Sequence, residues 1–399
     1  MPDSSVVSNP KNLFWGKAFI QLKSLNSVVT LFYLHRGVSF GEIFWLSVVW
    51  SITAFASEVP TGYLADRFGR KHILLLGAIV DISSTVAAVF AHGFLQFAGV
   101  FVLMAFAFTC FSGADEAILY DSLKMMGKEK DMTHFNGRLA SANSFFKILF
   151  PAIGALLASG LQEGQFLMLL AIDGVTSLLS ILFYSRLVEP THATSLFEQE
   201  RTIWKQSLHT LKSHPILFRF AFNRIGIFVV SFLIFRAYQP ALVGRGLGGV
   251  WLAVFYFLFH ASTFCSAWYL GSIERLVGAK RLFTITASVV LVGLVGILLH
   301  PPTPMLFLLY LFVIVCASIR EPMFSRFLNA HIKSESRATT LSQINALKGF
   351  IDIPVLLLVG FLVNAHPDAL YVIGIILCVS VLVFSPIRRI DIAALEQVS

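Results

Sequence analysis

Residues 62–71 decide the fold, and their sequence is GYLADRFGRK. The segment stands between two long apolar runs and combines one acid with three basic residues: Asp66, Arg67, Arg70 and Lys71. Its two glycines permit a tight turn and a close approach of helices, because glycine lacks a Cβ atom. Basic residues in a short break between apolar runs are typical of the cytoplasmic side of a membrane protein. The segment therefore predicts a cytoplasmic turn between two membrane-spanning helices.

The composition of the whole chain excludes a soluble domain. The 399 residues are 56% hydrophobic and 13% charged, and the mean hydropathy is +0.78. Soluble domains are about 45–50% apolar and about 25% charged, and a disordered chain could not leave so much apolar surface in water. The cysteines lie inside apolar runs without metal-ligand spacing, so we interpret them as buried hydrophobes and expect no metal site. They are Cys110, Cys265, Cys316 and Cys378.

A helix needs roughly 20 residues to cross about 30 Å of hydrocarbon. The sequence contains about twelve such runs, which we number spans 1–12. Their limits are Leu13–Leu34, Phe40–Ala65, His72–Ala91, Phe94–Leu123, Ala140–Leu161, Gly164–Tyr184, Ile216–Ala241, Gly248–Leu270, Leu282–Leu299, Pro304–Phe327, Ala338–Val363 and Ala369–Phe384. The predicted fold class is an all-α integral membrane protein. Its predicted domains are a six-helix bundle over 1–186, a cytoplasmic linker over 187–215 and a second six-helix bundle over 216–399.

Basic residues alternate between the short connections, and this bias sets orientation in the membrane. One side receives Lys11, Arg67, Arg70, Lys71, Lys124, Lys128, Lys130, Arg201, Lys205, Lys212, Lys280, Arg281, Lys333, Arg337, Arg388 and Arg389. The other side shows little beyond Arg36 and Arg245. Both termini are therefore predicted to be cytoplasmic, in a bacterial inner membrane. The formal net charge of +8 is explained without a nucleic-acid partner.

A weaker copy of the first segment follows span 8. Residues 271–280 read GSIERLVGAK, and Gly271 and Gly278 match Gly62 and Gly69 at an offset of 209 residues. Transporters are commonly built from such internal repeats. The repeat indicates two related halves of six helices each.

Residues 62–71 resemble the loop signature of the major facilitator superfamily, which lies between the second and third helices of that family. The resemblance covers the whole chain in helix number, orientation, linker and repeat. Residues 58–61 (EVPT) and 112–122 (SGADEAILYDS) resemble features of its multidrug-efflux-type, drug/proton antiporter-like branches. Span 4 departs from those branches, since it lacks the arginine that they usually carry midway along the fourth helix. The resemblance implies a secondary active transporter and not an enzyme.

The resemblance also implies a cytoplasmic gate. Asp66 would lie at the N-terminus of span 11, near Arg337, and Arg70 would reach Asp121 at the inner end of span 4. The residues of this predicted gate are Gly62, Asp66, Arg67, Gly69, Arg70, Lys71 and Asp121. For Arg67 and Lys71 the alternative is a role as positive-inside anchors only.

Charged residues inside the spans are the candidate coupling and cavity residues, because each costs roughly 2.5–3.5 kcal/mol at a helix centre unless it is paired or meets water. We nominate Glu58, Asp115, Glu116, Lys23, Arg224, Arg320 and Glu321. Acids that share a low-dielectric cavity hold a proton more readily, which suits a proton carrier. The alternative is that Glu58, Asp115 or Glu116 only neutralises Lys23, Arg224 or Arg320. Lys348 and Asp352 lie four residues apart and are expected to pair.

The leading functional hypothesis is a monomeric transporter that exports a small organic solute by alternating access in exchange with protons. The alternative is an importer, or a facilitative or lipid carrier, of an anionic solute on the same fold. No nucleotide-binding or hydrolase motif occurs in the sequence, so we predict no enzyme activity and no cofactor. The predicted partners are the solute, protons and the lipid bilayer.

Overall fold

A computed structural model describes residues 6–128, 131, 132, 135, 146, 149–190, 215–324, 348, 349 and 351–385. Every regular element in these ranges is helical. The α-helices with their bounds are α1 (Asn9–Ile20), α2 (Val29–His35), α3 (Phe40–Phe68), α4 (Arg70–Phe90), α5 (Gly93–Phe111), α6 (Ala114–Met125), α7 (149–157), α8 (Glu163–Ser185), α9 (Pro215–Val243), α10 (Gly249–Val277), α11 (Ala279–Leu298), α12 (Thr303–Ser318), α13 (Ile351–Leu362) and α14 (Ala369–Phe384).

Most of the predicted spans appear as long apolar helices. In the described ranges, eight helices are long and apolar enough to cross a membrane, and they coincide with spans 2–4 and 6–10. The shorter apolar helices α13 and α14 correspond to the end of span 11 and to span 12. Spans 5 and 11 lie partly outside the described residues. The all-helical membrane fold is confirmed, and the count of twelve stays a prediction.

Span 1 is not the continuous helix that its apolar sequence predicts. Helix α1 ends at Ile20, a 3-10 turn occupies Ser24–Ser27, and α2 begins at Val29. The carboxylate of Asp173 in α8 accepts hydrogen bonds from the Ser24 backbone N–H at 2.6 Å and the Leu25 backbone N–H at 3.3 Å. These N–H groups would be costly to bury without acceptors. The break in span 1 is therefore stabilised by an acid from another helix.

Span 4 is interrupted as well. Helix α5 ends at Phe111, and α6 begins at Ala114 after Gly113, whose φ of +78° is in the left-handed region. Glycine adopts this conformation without steric cost. The break places Asp115 and Glu116 in the first turn of α6, where the positive end of the helix dipole stabilises carboxylates.

The predicted internal repeat is present in the backbone. Gly69 joins α3 to α4 with a φ of +93°, and Gly278 joins α10 to α11 with a φ of +85°. The same offset of 209 residues relates Arg36 to Arg245, at the opposite end of each half. Arg36 contacts His92 at 3.0 Å, and Arg245 donates to the Pro301 carbonyl at 3.3 Å. The offset also relates His92 to Pro301, so the repeat extends to both ends of the helices.

The chain divides into two compact units, residues 1–200 with 248–253 and residues 201–247 with 254–399. The first unit has a buried aromatic cluster at Phe32, with Phe97 at 5.7 Å and Phe166 at 5.6 Å between ring centroids. The second has Phe283 and Phe324 at 4.6 Å. Many large apolar side chains are exposed on both units, Leu95, Phe90 and Leu276 among them, as expected of helices whose solvent is lipid.

Candidate functional site

The loop between α3 and α4 is fixed by a buried ion pair. Arg70, the first residue of α4, pairs through Nη1 with the carboxylate of Asp121 in α6, and both residues are about 95% buried. This is the contact that the resemblance predicted. Burying the pair keeps it together, because either charge alone would be strongly destabilising. The loop is thereby tied to the C-terminal end of span 4.

Glu189, which is not among the predicted site residues, caps the N-terminus of α4. The carboxylate of Glu189, just beyond α8, accepts from the backbone N–H groups of Arg70 and Lys71, each at 2.8 Å. Gly69 has a φ of +93°, in the left-handed region that glycine adopts without steric cost, and a Cβ there would also lie 2.8 Å from this carboxylate. An acid within a connection rich in basic residues was the available signal, since acids contribute little to the orientation rule.

The other predicted gate residues divide by exposure. Gly62 and Asp66 are half-buried in the last two turns of α3. The expected partner of Asp66, near residue 337, lies outside the described residues. Arg67 is exposed, donates to the Tyr63 hydroxyl at 3.3 Å and covers the Phe68 ring at 5.3 Å. These contacts are local to one helix end.

Two lysines neutralise acids in the first unit. Lys17 pairs with Asp115, so one of the nominated acids is neutralised by a lysine that was not among its considered partners. Lys23 lies 2.7 Å from Asp81, and not from Glu58, Asp115 or Glu116, the acids that the alternative interpretation assigned to it. Apolar periodicity does not fix the rotation of each helix about its axis, so sequence depth alone could not select these partners.

The Lys23 pair includes a third group beside the break in span 1. The Ser177 hydroxyl donates to Asp81 at 2.7 Å and accepts from Lys23 Nζ at 3.1 Å. Asp173, one turn earlier on α8, accepts from the Ser24 hydroxyl at 2.7 Å. Neither Asp81 nor Asp173 is among the predicted site residues, although each is an acid inside an apolar run.

Glu58 and Glu116 differ from the paired acids. Both side chains are exposed, and within the described part of the chain neither carboxylate has a cationic partner within 4 Å. Glu58 is about 15 Å from the end of α3, and Glu116 is about 14 Å from the end of α6, at 1.5 Å per residue. Their neighbour Asp115 is buried. The two glutamates therefore remain as the candidate proton carriers.

The second unit holds a group of basic side chains. Arg224 of α9 forms a forked ion pair with Glu321, with Nε at 3.1 Å from Oε2. Lys348 lies 3.1 Å from Asp352, which confirms the expected pair. Arg320, in the helical residues 320–324, is buried and donates to the carbonyl of Phe283 and the hydroxyl of Thr286, each at 2.6 Å.

An all-helical chain with long apolar spans, an internal repeat and charges within the spans has the architecture of a secondary transporter. The family model of the Major Facilitator Superfamily matches residues 18–353. The chain belongs to this superfamily, and it is a multi-pass membrane transporter rather than an enzyme.

Two bacterial relatives carry functional names. The chain is 27% identical over 247 residues to the multi-drug resistance efflux pump PmrA homolog of Lactococcus lactis, covering 59% of this chain and 56% of the relative. It is 29% identical over 123 residues to the bacillibactin exporter of Bacillus subtilis, covering 30% of each chain. The matched regions thus span about half or less of these relatives.

Solved structures match almost the full length. A bacterial homologue of the iron transporter ferroportin in an inward-facing state superposes with a TM-score of 0.74 at 13% identity, covering 97% of this chain and 98% of that one. A D-xylose–proton symporter gives 0.70 at 14% identity, covering 96% and 97%. At such identities the likeness shows the fold alone.

Proposed function

We propose that this protein exports a small organic solute in exchange for protons, by alternating access. The observation that carries the proposal is the division among the acids of the first unit. Asp81 and Asp115 are neutralised by lysines, whereas Glu58 and Glu116 have no cationic partner in the described ranges. An acid within a membrane-spanning helix that is not used for pairing is a candidate proton site.

Glu58 is the better of the two candidates. Glu116 lies in the first turn of α6, where the helix dipole compensates an ionised carboxylate. Glu58 lies in the interior of α3, where no helix end provides that compensation. Facing lipid, it would have to carry its proton, and facing a wet cavity it would exchange the proton with water. Alternation between these two surroundings loads and releases a proton.

The direction of transport rests on the relatives. Those with functional names are an efflux pump homolog and an exporter, so export is the direction we propose for this chain. In the same scheme the protein works as a monomer in a bacterial inner membrane, with both termini in the cytoplasm. The bias of basic residues supports that orientation.

The loop 62–71 serves in this scheme as the cytoplasmic gate. The buried pair of Arg70 and Asp121 and the cap from Glu189 hold the loop rigidly on the first unit. A rigid loop can present Asp66 to a partner helix end in one access state and release it in the other. Such a contact shifts the population of states only by its differential energy.

Uptake or facilitated passage of an anionic solute is the second candidate. One observation favours it: the spans of the second unit carry more basic than acidic residues. In the sequence the basic ones are Arg219, Arg224, Arg236, Arg320, Arg326 and Lys348, and the acids are Glu321 and Asp352. Proton coupling separates the two candidates.

Infrared difference spectra of the purified protein between acidic and neutral buffer test the proton site without a known substrate. The carboxylic C=O band that appears on acidification should be reduced in Glu58→Gln and, to a smaller extent, in Glu116→Gln. The matched control is Glu42→Gln on the same helix, because glutamine preserves the capping box that Glu42 forms with Ser39.

Proteoliposomes with an imposed pH gradient test the coupling. Organic cations, neutral solutes and carboxylates are added in turn, and an internal pH dye reports the protein-dependent proton flux. This flux should vanish in Glu58→Gln and persist in Glu42→Gln. Solute-evoked proton flux at the wild-type rate in the variant that lacks both Glu58 and Glu116 would refute the site. Solute transport that is insensitive to the gradient would favour the facilitative carrier.

A further inference from the structure

The second unit contains a cavity of about 180 Å³ between α9 and the end of span 10. Its charged lining residues are Arg224, Arg320 and Glu321, and Phe228 and Phe324 supply aromatic walls. Sites that enclose a whole drug-sized ligand measure about 300–1,000 Å³. This cavity therefore has room for one functional group of a solute with its nearest carbons.

Arg320 is a charge without a counter-ion in the described part of the second unit. It is 97% buried, and no described carboxylate lies within 4 Å of its guanidinium. Its acceptors are the Phe283 carbonyl, the Thr286 hydroxyl and the amide oxygen of Asn223. The rings of Phe283 and Phe324 lie 5.5 and 5.6 Å from Cζ. Neutral acceptors and rings orient the cation but leave its full charge.

One donor of this guanidinium also has no acceptor. The Nε–H of Arg320 is buried and forms no hydrogen bond to any described residue. A buried donor left unsatisfied costs about 1–3 kcal/mol, and more when the group is charged. Such a group, at the wall of a cavity, favours an anionic acceptor that enters from outside.

The charges around the cavity set the valence of that anion. Arg224 is paired with Glu321, and Lys348, whose Nζ lies 4.9 Å from the Phe228 ring centroid, is paired with Asp352. Together with Arg320, these five groups carry a net charge of +1. A carboxylate carries a single negative charge and matches it, whereas a phosphate monoester carries −1.5 to −2.

We propose that this cavity binds the carboxylate of an organic monoanion, with its apolar part against Phe228 and Phe324. The proposal rests on the transport function above and names the class of its solute. Glu321 occupies the Arg224 fork when the site is empty. Its side chain is 51% exposed, so it can swing away when the solute carboxylate takes its place between the two arginines. The planar fork of arginine suits a carboxylate better than lysine would.

Binding to the purified full-length protein in nanodiscs tests the site in the absence of any gradient. The probes are benzoate, its neutral isostere benzamide and inorganic phosphate, with the melting temperature and calorimetric titration as readouts. Benzoate should stabilise the wild-type protein and the other two should not. Arg224→Gln should weaken benzoate binding at least about tenfold, because one charge-assisted hydrogen bond to a carboxylate is lost.

Arg320→Gln should also weaken benzoate binding, and two further variants remain informative if it fails to fold. Glu321→Gln should tighten benzoate binding, because it removes the competing carboxylate, and a purely structural cluster would not behave so. Arg320→Lys keeps the charge and should weaken binding through loss of the fork. The matched control is Arg245→Gln, an arginine of the same unit that donates to the Pro301 carbonyl; it should bind benzoate like the wild type.

Equal responses to benzoate and benzamide would overturn the proposal. So would weaker binding in Glu321→Gln, and a preference for phosphate would refute the carboxylate assignment. Gradient-independent transport of a carboxylate that binds here would remove proton coupling but leave this site intact. Proton flux with cations and none with carboxylates would leave the coupling intact and remove this site.

Discussion

Buried arginines differ in what neutralises them, and the difference separates a structural role from a binding role. Arg70 is paired with the buried carboxylate of Asp121. Arg320 has neutral acceptors and one unsatisfied N–H among the described residues. Removing a partner from a buried ion pair leaves an uncompensated charge. A buried arginine without a carboxylate partner, as Arg320 is among the described residues, is instead stabilised when an anion binds beside it.

Breaking the Arg70 pair should be costly to stability. Asp121→Asn leaves the Arg70 charge buried, so we expect the free energy of unfolding to fall by about 3–5 kcal/mol. Arg67→Gln, an exposed arginine of the same loop, should change it by less than about 0.5 kcal/mol. Thermal unfolding of the purified variants measures both, and equal melting temperatures would contradict the buried-pair argument.

Asp66→Asn provides the contrast within that series. Asp66 is half-buried at a helix end, where one charge contributes about 0.3–1 kcal/mol. We expect near-normal stability but a large loss of transport in this variant, because the charge would bias the gate states. Transport at the wild-type rate in Asp66→Asn would remove Asp66 from the proposed gate.

Residue-level contacts were predictable where a motif fixed both partners, or where a spacing of four residues placed them on one helix face, as for Lys348 and Asp352. The contact between Arg70 and Asp121 followed from a resemblance that supplied both positions. The pairing of Lys17 with Asp115 and of Lys23 with Asp81 depends on helix rotation and on the break in span 1. Neither of these is encoded in local hydropathy.

At the scale of elements, span 1 illustrates why an apolar run does not guarantee a continuous helix. The groups that stabilise its break, Asp173 and Ser177, lie about 150 residues away in sequence. Helix α7 packs against the break from another side. A Cβ on Gly154 of α7 would overlap the Ser24 carbonyl oxygen. The break is thus held between two other helices of the same unit.

Gly154→Ala should therefore be destabilising. The atom in its way is backbone that Asp173 holds by hydrogen bonds, so it cannot rotate aside as a flexible side chain would. Overpacking of this kind typically costs 1–3 kcal/mol. The matched control is Gly99→Ala in α5, where a Cβ meets no heavy atom within 4 Å and alanine is the better helix former.

Melting temperatures of the two alanine variants give a direct comparison. We expect a loss in Gly154→Ala and no loss in Gly99→Ala. An unchanged melting temperature in Gly154→Ala would mean that α7 and the break in span 1 are not in contact in the folded protein.

For the whole molecule, the two halves share a backbone repeat but differ in charge. The spans of the first unit contain seven acids: Glu42, Glu58, Asp81, Asp115, Glu116, Asp121 and Asp173. The second unit has the basic excess described above. The sequence predicted the repeat from two glycine-containing loops but missed that Arg36 and Arg245 share its offset. Comparing every charged residue with its position 209 residues on would have found them.

Membrane topology is the last prediction. Position 128 follows span 4 and position 299 ends span 9. Five predicted spans separate these positions, so the twelve-span arrangement places them on opposite sides of the membrane.

Lys128 and Leu299 are exposed, which makes them better labelling sites than Arg36, which is 4% exposed. Exposed Cys265 and half-buried Cys316 are first replaced by serine, while Cys110 and Cys378 are buried. An impermeant maleimide should then label Leu299→Cys in intact cells and Lys128→Cys only in inverted vesicles, because the basic connections stay in the cytoplasm. Span 5 lies partly outside the described residues, and it is one of the five spans on which the odd count depends. Labelling of both variants from the same side would refute the twelve-span arrangement.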